Sequence, residues 1–201
     1  ILDFSKVSAN KLELHNDVFV LTDIFDISFA NSLPAAMEKG LFLDIDIPVA
    51  LPEYFVGDQV RLNQVFTNLI GNAVKFTDKG SVVLEVKALK RTGNSHLLQF
   101  ILTDTGVGIP QDKLKDVFEA FTQADTSVTR EFGGTGLGLT IVYQLVKLMG
   151  GKTSLSSELG GGTSFTIELP LESTPEQPDY SSLHREWFIF ERNDRYQEIL
   201  V

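Results

Sequence analysis

Four short segments of this chain hold residues that could do chemistry together, and they follow one another in a fixed order. They are Asn68-Leu-Ile-Gly-Asn72-Ala-Val-Lys75, Asp104-Thr-Gly106-Val-Gly108-Ile-Pro110, Phe118-Glu-Ala-Phe121 and Gly133-Gly-Thr-Gly136-Leu-Gly138-Leu. An Asn side-chain carbonyl is a hard oxygen ligand of the kind magnesium takes, and a Lys one turn further on can reach a phosphate as a point charge. An Asp at the end of a strand can accept from the amino group of a base. Glycines that open a helix offer free N–H groups and the positive end of its dipole to phosphate. Chance matches to four such segments rarely fall in sequence within one small domain.

Each segment also has an ordinary reading. Asp58 is a plausible helix N-cap, and the apolar positions Leu62, Val65, Phe66, Leu69, Ile70, Ala73 and Val74 define one face of the helix that follows. At about 100° per residue, Arg61, Asn68, Asn72 and Lys75 fall in a narrow stripe on another face. Arg61 alone reads as a solvated residue. Two Asn four residues apart are harder to read that way, because Asn is a mediocre helix former and a wet face would use Glu, Lys or Gln. Strand alternation places Leu98, Phe100, Leu102 and Asp104 on one apolar face, so the Asp104 carboxylate needs a donor partner. By itself Asp-x-Gly-x-Gly reads first as a turn capped by Asp; in a site, Gly106 and Gly108 would let the backbone approach a base. The loop at Gly134, Thr135, Gly136, Leu137 and Gly138 reads equally as a phosphate cradle or a hinge. Its spacing matches neither Gly-x-x-x-x-Gly-Lys-Ser/Thr nor a dinucleotide fingerprint. Arg130 is the one basic residue of the polar stretch 122–134, and Phe118 and Phe121 read as anchors of a flap. Gly161-Gly162-Thr163 reads as a tight turn, with a weaker role for Thr163 near a base.

The elements that must position these residues are legible from periodicity. Residues 17–39 carry a helical pattern in Leu21, Ile24, Phe25, Phe29, Leu33 and Met37, with Thr22 or Asp23 as its cap and Gly40 as its end. Residues 41–47 alternate as a half-buried strand, and Pro48 and Pro52 bound a loop. After the Asn helix come strands at 81–90 and 96–104, a flexible stretch at 106–134 with a short helix near 111–118, a helix at 139–149, and strands at 152–157 and 163–171. Helices set against mostly antiparallel strands predict an α+β fold, a two-layer α/β sandwich with helices on one face of a mixed sheet. Residues 172–183 read as a linker.

With 201 residues, 43% of them hydrophobic and 22% charged, the chain can build one substantial core. It has no cysteine for a disulfide or a thiolate metal site. A net charge of −10 argues against a nucleic-acid partner, so any anion must be held by a local device. No run of apolar residues is long enough for a transmembrane helix. Ile1 opens neither a signal peptide nor a chain with an initiator Met, so the sequence reads as an excised fragment.

The four segments resemble the N, G1, F and G2 boxes of sensor histidine kinases, in the catalytic ATP-binding domain with the Bergerat fold. The resemblance spans residues 1–171, and residues 1–14 resemble the exit from the family's dimerisation hairpin. It implies ATP and Mg2+ as ligands, with Asn72 on the metal and Asn68 supporting it. It further implies that Lys75 and Arg130 contact phosphates, that Asp104 takes the adenine amine, and that Gly134, Gly136 and Gly138 form the cradle, with residues 109–134 as the ATP lid. Hydrolytic relatives of the gyrase, chaperone and mismatch-repair type carry a water-activating Glu one turn before the metal Asn. Asn68 stands there in this chain and makes a poor base. The alternatives are therefore such an ATPase, or a degenerate module that binds nucleotide or a partner without chemistry.

The family's phosphoacceptor His lies in a His-Glu/Asp-x-x-Thr-Pro-like context. None of His15, His96 and His184 has it, so the acceptor is expected upstream of Ile1 and the fragment is expected to bind ATP with little autophosphorylation. The implied partners are its own dimerisation domain and a response regulator or receiver, and the implied location is the cytoplasmic side of a parent that is often a membrane protein. The tail from Trp187 through Glu191, Arg192 and Asn193 resembles the opening of a receiver, with Arg192 in place of one acid; a linker with an amphipathic patch explains it equally well. On the receiver reading the parent is a hybrid kinase.

Overall fold

The structure, a computed structural model, describes residues 12–114 and 138–177. In chain order its elements are β1 (Asp17–Val20), α1 (Leu21–Lys39), β2 (Phe42–Asp46), β3 (Tyr54–Gly57), α2 (Gln59–Phe76), β4 (Ser81–Thr92), β5 (Ser95–Asp104), α3 (Gly138–Leu148), β6 (Lys152–Glu158) and β7 (Gly162–Ser173). The strands form one sheet in the order β1-β3-β7-β5-β4-β2, with β6 also beside β7. β2 runs parallel to β4, and the other pairs are antiparallel.

Alternation decides which face is covered. Val82, Leu84 and Val86 of β4, Leu98, Phe100 and Leu102 of β5, and Phe165, Ile167, Leu169 and Leu171 of β7 are all buried, as period-two side chains on one face must be. The helices lie over them. Phe66 of α2 stands edge-on to Phe25 of α1 at 5.0 Å and to Phe100 of β5 at 5.1 Å, so one aromatic cluster joins both helices to the sheet. The α+β two-layer sandwich expected from the sequence is the fold observed. Asp58 caps α2 as expected: its Oδ1 accepts from the Arg61 N–H at 3.0 Å, and its Oδ2 accepts from the His15 N–H at 3.0 Å.

The structure corrects the reading of residues 17–39. Residues 17–20 are the edge strand β1, paired with β3, and the helix begins only at Leu21. Neither Thr22 nor Asp23 is its N-cap: Val20 takes that position without a side-chain cap, and the Leu21 N–H donates instead to the Glu53 carbonyl at 3.2 Å. A neighbouring strand thus satisfies an orphan helix donor that local sequence leaves open. The four-residue β3 lies in a stretch that carried no strand signal, and Phe55 within it is fully buried. The hairpin strands β4 and β5 run on to Thr92 and Ser95. β7 continues to Ser173, beyond the expected linker boundary at 172, because its end pairs with β3 through Phe55–Ser173 and Val56–Glu172.

His96 is a core residue, with 2% of its surface exposed. Its Nε2 lies 3.0 Å from Ser173 Oγ, and its ring meets Phe55 edge-on at 5.6 Å. Burial, reinforced by the Arg91 charge, holds its pKa below 6.5. Because the unfolded chain takes up this proton more readily than the folded one, stability conferred by neutral His96 is full above about pH 6.5 and is lost as pH falls through the lower folded value. Thermal unfolding between pH 8 and 5 is expected to show a steeper acid loss for the wild type than for His96→Phe.

Candidate nucleotide site

The site lies where α2, the β5 exit and the start of α3 meet. Leu62, Val65, Phe66, Leu69, Ile70, Ala73 and Val74 of α2 are buried, while Arg61, Asn68, Asn72 and Lys75 are half-buried along the predicted stripe. A Cβ added to Gly138 would stand 3.6 Å from Asn72 Nδ2 and 3.7 Å from Asn68 Oδ1. The N-terminus of α3 therefore sits directly over both amides. A side chain larger than hydrogen at Gly138 would occupy the space between the helix end and the amides. Lys75 Nζ lies over the Phe76 ring, 4.9 Å from its centre, a cation–π distance at the stripe's end.

Asp104 ends β5 close to the last turn of α2, where Phe76 O and Asp104 Oδ1 flank Gly106. Its Oδ1 accepts from the Gly106 N–H at 2.9 Å, and the Thr163 backbone N–H also donates to its carboxylate. Burial raises its pKa above the ordinary carboxylate value, and those two N–H bonds oppose the rise. The donor partner required by the sequence pattern is thus backbone, from Gly106 and Thr163. Across the sheet Asp104 is in register with Val82 and Thr163.

The two glycines of the Asp104 loop are explained by the protein's own packing. A Cβ on Gly106 would collide with the Phe76 carbonyl at the end of α2 and stand 2.9 Å from Asp104 Oδ1. Gly108 has φ +70° and lies against the Glu158 carbonyl of β6. The loop is clamped between α2 and the β6–β7 turn: the Val107 N–H donates to Phe76 O at 3.2 Å, and Val107 O accepts from the Gly160 N–H at 2.8 Å.

Ser157, unremarked in the sequence, is the hub of that clamp. It is buried; its Oγ accepts from the Ile109 N–H at 2.8 Å, donates to Gly162 O at 2.8 Å, and lies 3.0 Å from Thr163 Oγ1. Gln111 Nε2 adds a bond to Ser157 O at 2.9 Å. One Ser in a strand that also holds Thr153, Ser154 and Ser156 gives no signal by type or spacing. Ser157→Ala strands the Ile109 donor and is expected to cost about 1–2 kcal/mol in chemical denaturation.

Residues 111–114 form a turn, closed by Lys113 N–H to Pro110 O at 2.9 Å. Phe118, Phe121, Arg130, Gly134, Thr135, Gly136 and Leu137 lie outside the described residues, as do His184 and the tail from Trp187. Among the described residues no three His, Cys, Asp or Glu side chains gather as a metal site. A metal here would depend on side-chain amide oxygens, the kind of ligand that Asn68 and Asn72 carry.

An α2 amide stripe faces a helix N-terminus, and a half-buried carboxylate ends a neighbouring strand. The family model "Histidine kinase-, DNA gyrase B-, and HSP90-like ATPase" matches residues 57–173. The chain belongs to that family, as an ATP-binding catalytic domain of the sensor-histidine-kinase type. It is similar to the autoinducer 2 sensor kinase/phosphatase LuxQ of Vibrio cholerae, with 39% identity over 179 residues, covering 89% of this chain and 21% of that protein. It is also similar to the sensor histidine kinase RcsC of Escherichia coli, with 42% identity over 175 residues, covering 85% of this chain and 18% of that protein. The chain thus spans about a fifth of the length of these relatives. The crystal structure of full-length ShkA in complex with AMPPNP superposes with a TM-score of 0.73 at 34% identity, covering 86% of this chain and 35% of that one.

Proposed function

We propose that this domain binds ATP with Mg2+ and delivers the γ-phosphoryl to a histidine on a dimerisation domain of its parent protein. The observation that carries this reading is the seating of Gly138 over the Asn68 and Asn72 side-chain amides, which brings two amide groups beside a helix N-terminus. Asn72 would hold the metal with Asn68 supporting it, and the metal would neutralise phosphate charge during transfer. Lys75 and Arg130 contact the phosphates, and Gly134, Thr135, Gly136, Leu137 and Gly138 enclose them. Asp104 accepts from the adenine amine, with Gly106, Gly108 and Thr163 shaping that pocket. The phosphorus–oxygen bond to the β-phosphate breaks as a bond to an imidazole nitrogen forms, and the protein's part is positioning and charge neutralisation.

Asn68 supports transfer over hydrolysis, because an amide does not take a proton from water at neutral pH. Of the described histidines, His96 is buried behind Phe55 and Ser173, and His15 lies beside the α2 N-cap; neither is placed to receive a phosphoryl group at the Gly138 end. Partners on this reading are the parent's dimerisation domain and a response regulator or receiver, with a hybrid kinase as parent and no nucleic acid. Among the described residues no helix is long and apolar enough to cross a membrane; the location proposed for the domain is the cytoplasmic side of its parent. The test is transfer of labelled γ-phosphate from ATP. Label on a histidine is expected in a chain extended through the upstream helices and not in the 201-residue chain alone; label on the 201-residue chain, or on neither, would overturn the proposal.

A further inference from the structure

The last turn of α1 delivers Lys39 to the end of the helix that carries the site. Its Nζ donates to Val74 O at 2.9 Å, Lys75 O at 2.8 Å and Thr77 O at 3.0 Å, with the Asp78 carboxylate 3.6 Å away. An ammonium has three donors, and here the three go to carbonyls that a helix end leaves without intrahelical partners. The charge also meets the negative end of the α2 dipole. The carbonyl that Lys39 passes over, Phe76 O, accepts from the Val107 N–H of the Asp104 loop. One turn of α2 therefore presents Lys75, mounts the loop that partners Asp104, and is held by a single cation from another helix. α1 itself ends in a left-handed Gly40, whose turn is closed by the Leu41 N–H on Ala36 O at 2.9 Å, so the Lys39 backbone is anchored.

We propose that Lys39 is a positioning residue for nucleotide binding: by capping the C-terminal turn of α2, it fixes the Lys75 side of the phosphate site and the Phe76 mount of the Asp104 loop in one geometry. Lys39 acts without touching the nucleotide, and the inference rests on the reading of this site as an ATP site. The experiment is calorimetric titration of Mg-ATP into the wild-type chain, Lys39→Met, Lys75→Ala and the double variant, at a temperature where circular dichroism shows each folded. Lys39→Met is expected to bind about tenfold more weakly, and that loss is expected to shrink once Lys75 is absent, the signature of coupled neighbours. A purely structural Lys39 would lower the unfolding midpoint and leave the affinity of the folded protein unchanged, which overturns the inference; so does an equal loss with and without Lys75. If Lys39→Met does not fold, Lys39→Gln, which keeps two donors, is titrated instead, with a smaller loss expected and wild-type affinity as the contrary result. A wild-type chain that binds no ATP removes the underlying reading, and is distinguished by that arm alone.

Discussion

Asp104→Asn is expected to bind Mg-ATP about 10- to 100-fold more weakly and to lose its preference for adenine over guanine nucleotides, while unfolding no earlier than the wild type at pH 7. The loss follows from the charge: a carboxylate accepts from a base amine more strongly than an amide carbonyl does. The unimpaired stability follows from the sign of the pKa shift. Burial raises the folded pKa of Asp104 above its ordinary 3.8, so between those two values the folded state holds the proton more than the unfolded state. Stability is full below pH 3.8 and declines as pH rises through the folded value. At neutral pH the ionised carboxylate therefore weakens the fold, a cost that the Gly106 and Thr163 N–H groups offset in part. Asn removes that cost and can still accept from Gly106. Titration with ATP and GTP, together with thermal unfolding, checks both halves. Unchanged affinity and selectivity would refute the role assigned to this side chain.

Asn72→Ala is expected to erase the magnesium-dependent part of ATP affinity, a loss of about 10- to 100-fold, and to leave the fold as stable or slightly more so. Asn72 is half-buried on the α2 stripe, with its amide beneath Gly138. Ala is the better helix former by several tenths of a kcal/mol, roughly. The variant should bind ATP in magnesium no better than in EDTA. Asn72→Asp, which keeps a hard oxygen, should retain a response to the metal. An Asn72→Ala protein whose ATP affinity still rises on adding magnesium would move the metal to other ligands. Both variants put the same tension on view: residues that suit the site are not those that suit the fold.

That tension also explains why the candidate site stands out in the sequence. Asn68 and Asn72 interrupt a regular amphipathic helix with a residue that serves the helix poorly, and Asp104 breaks an apolar alternation. Such departures can be seen because the surrounding pattern is regular. What escaped notice was of two kinds. β1 and β3 are four residues each and are held by pairing with each other, and β3 also with β7, rather than by their own pattern; the Leu21 N–H finds its partner in Glu53 beside that pairing. Lys39 and Ser157 act on segments 35 to 48 residues away in sequence, where their types carry no mark of what they will reach.

On the proposed function this chain is a nucleotide-binding catalytic domain built for transfer and not for hydrolysis. The most direct measurement is calorimetric titration of the chain with ATP and magnesium, followed by phosphate release from the same sample. The expected result is an adenine-selective, magnesium-strengthened dissociation constant in the micromolar-to-millimolar range, with no steady release of phosphate. Absence of binding, or steady hydrolysis by the isolated chain, would contradict it.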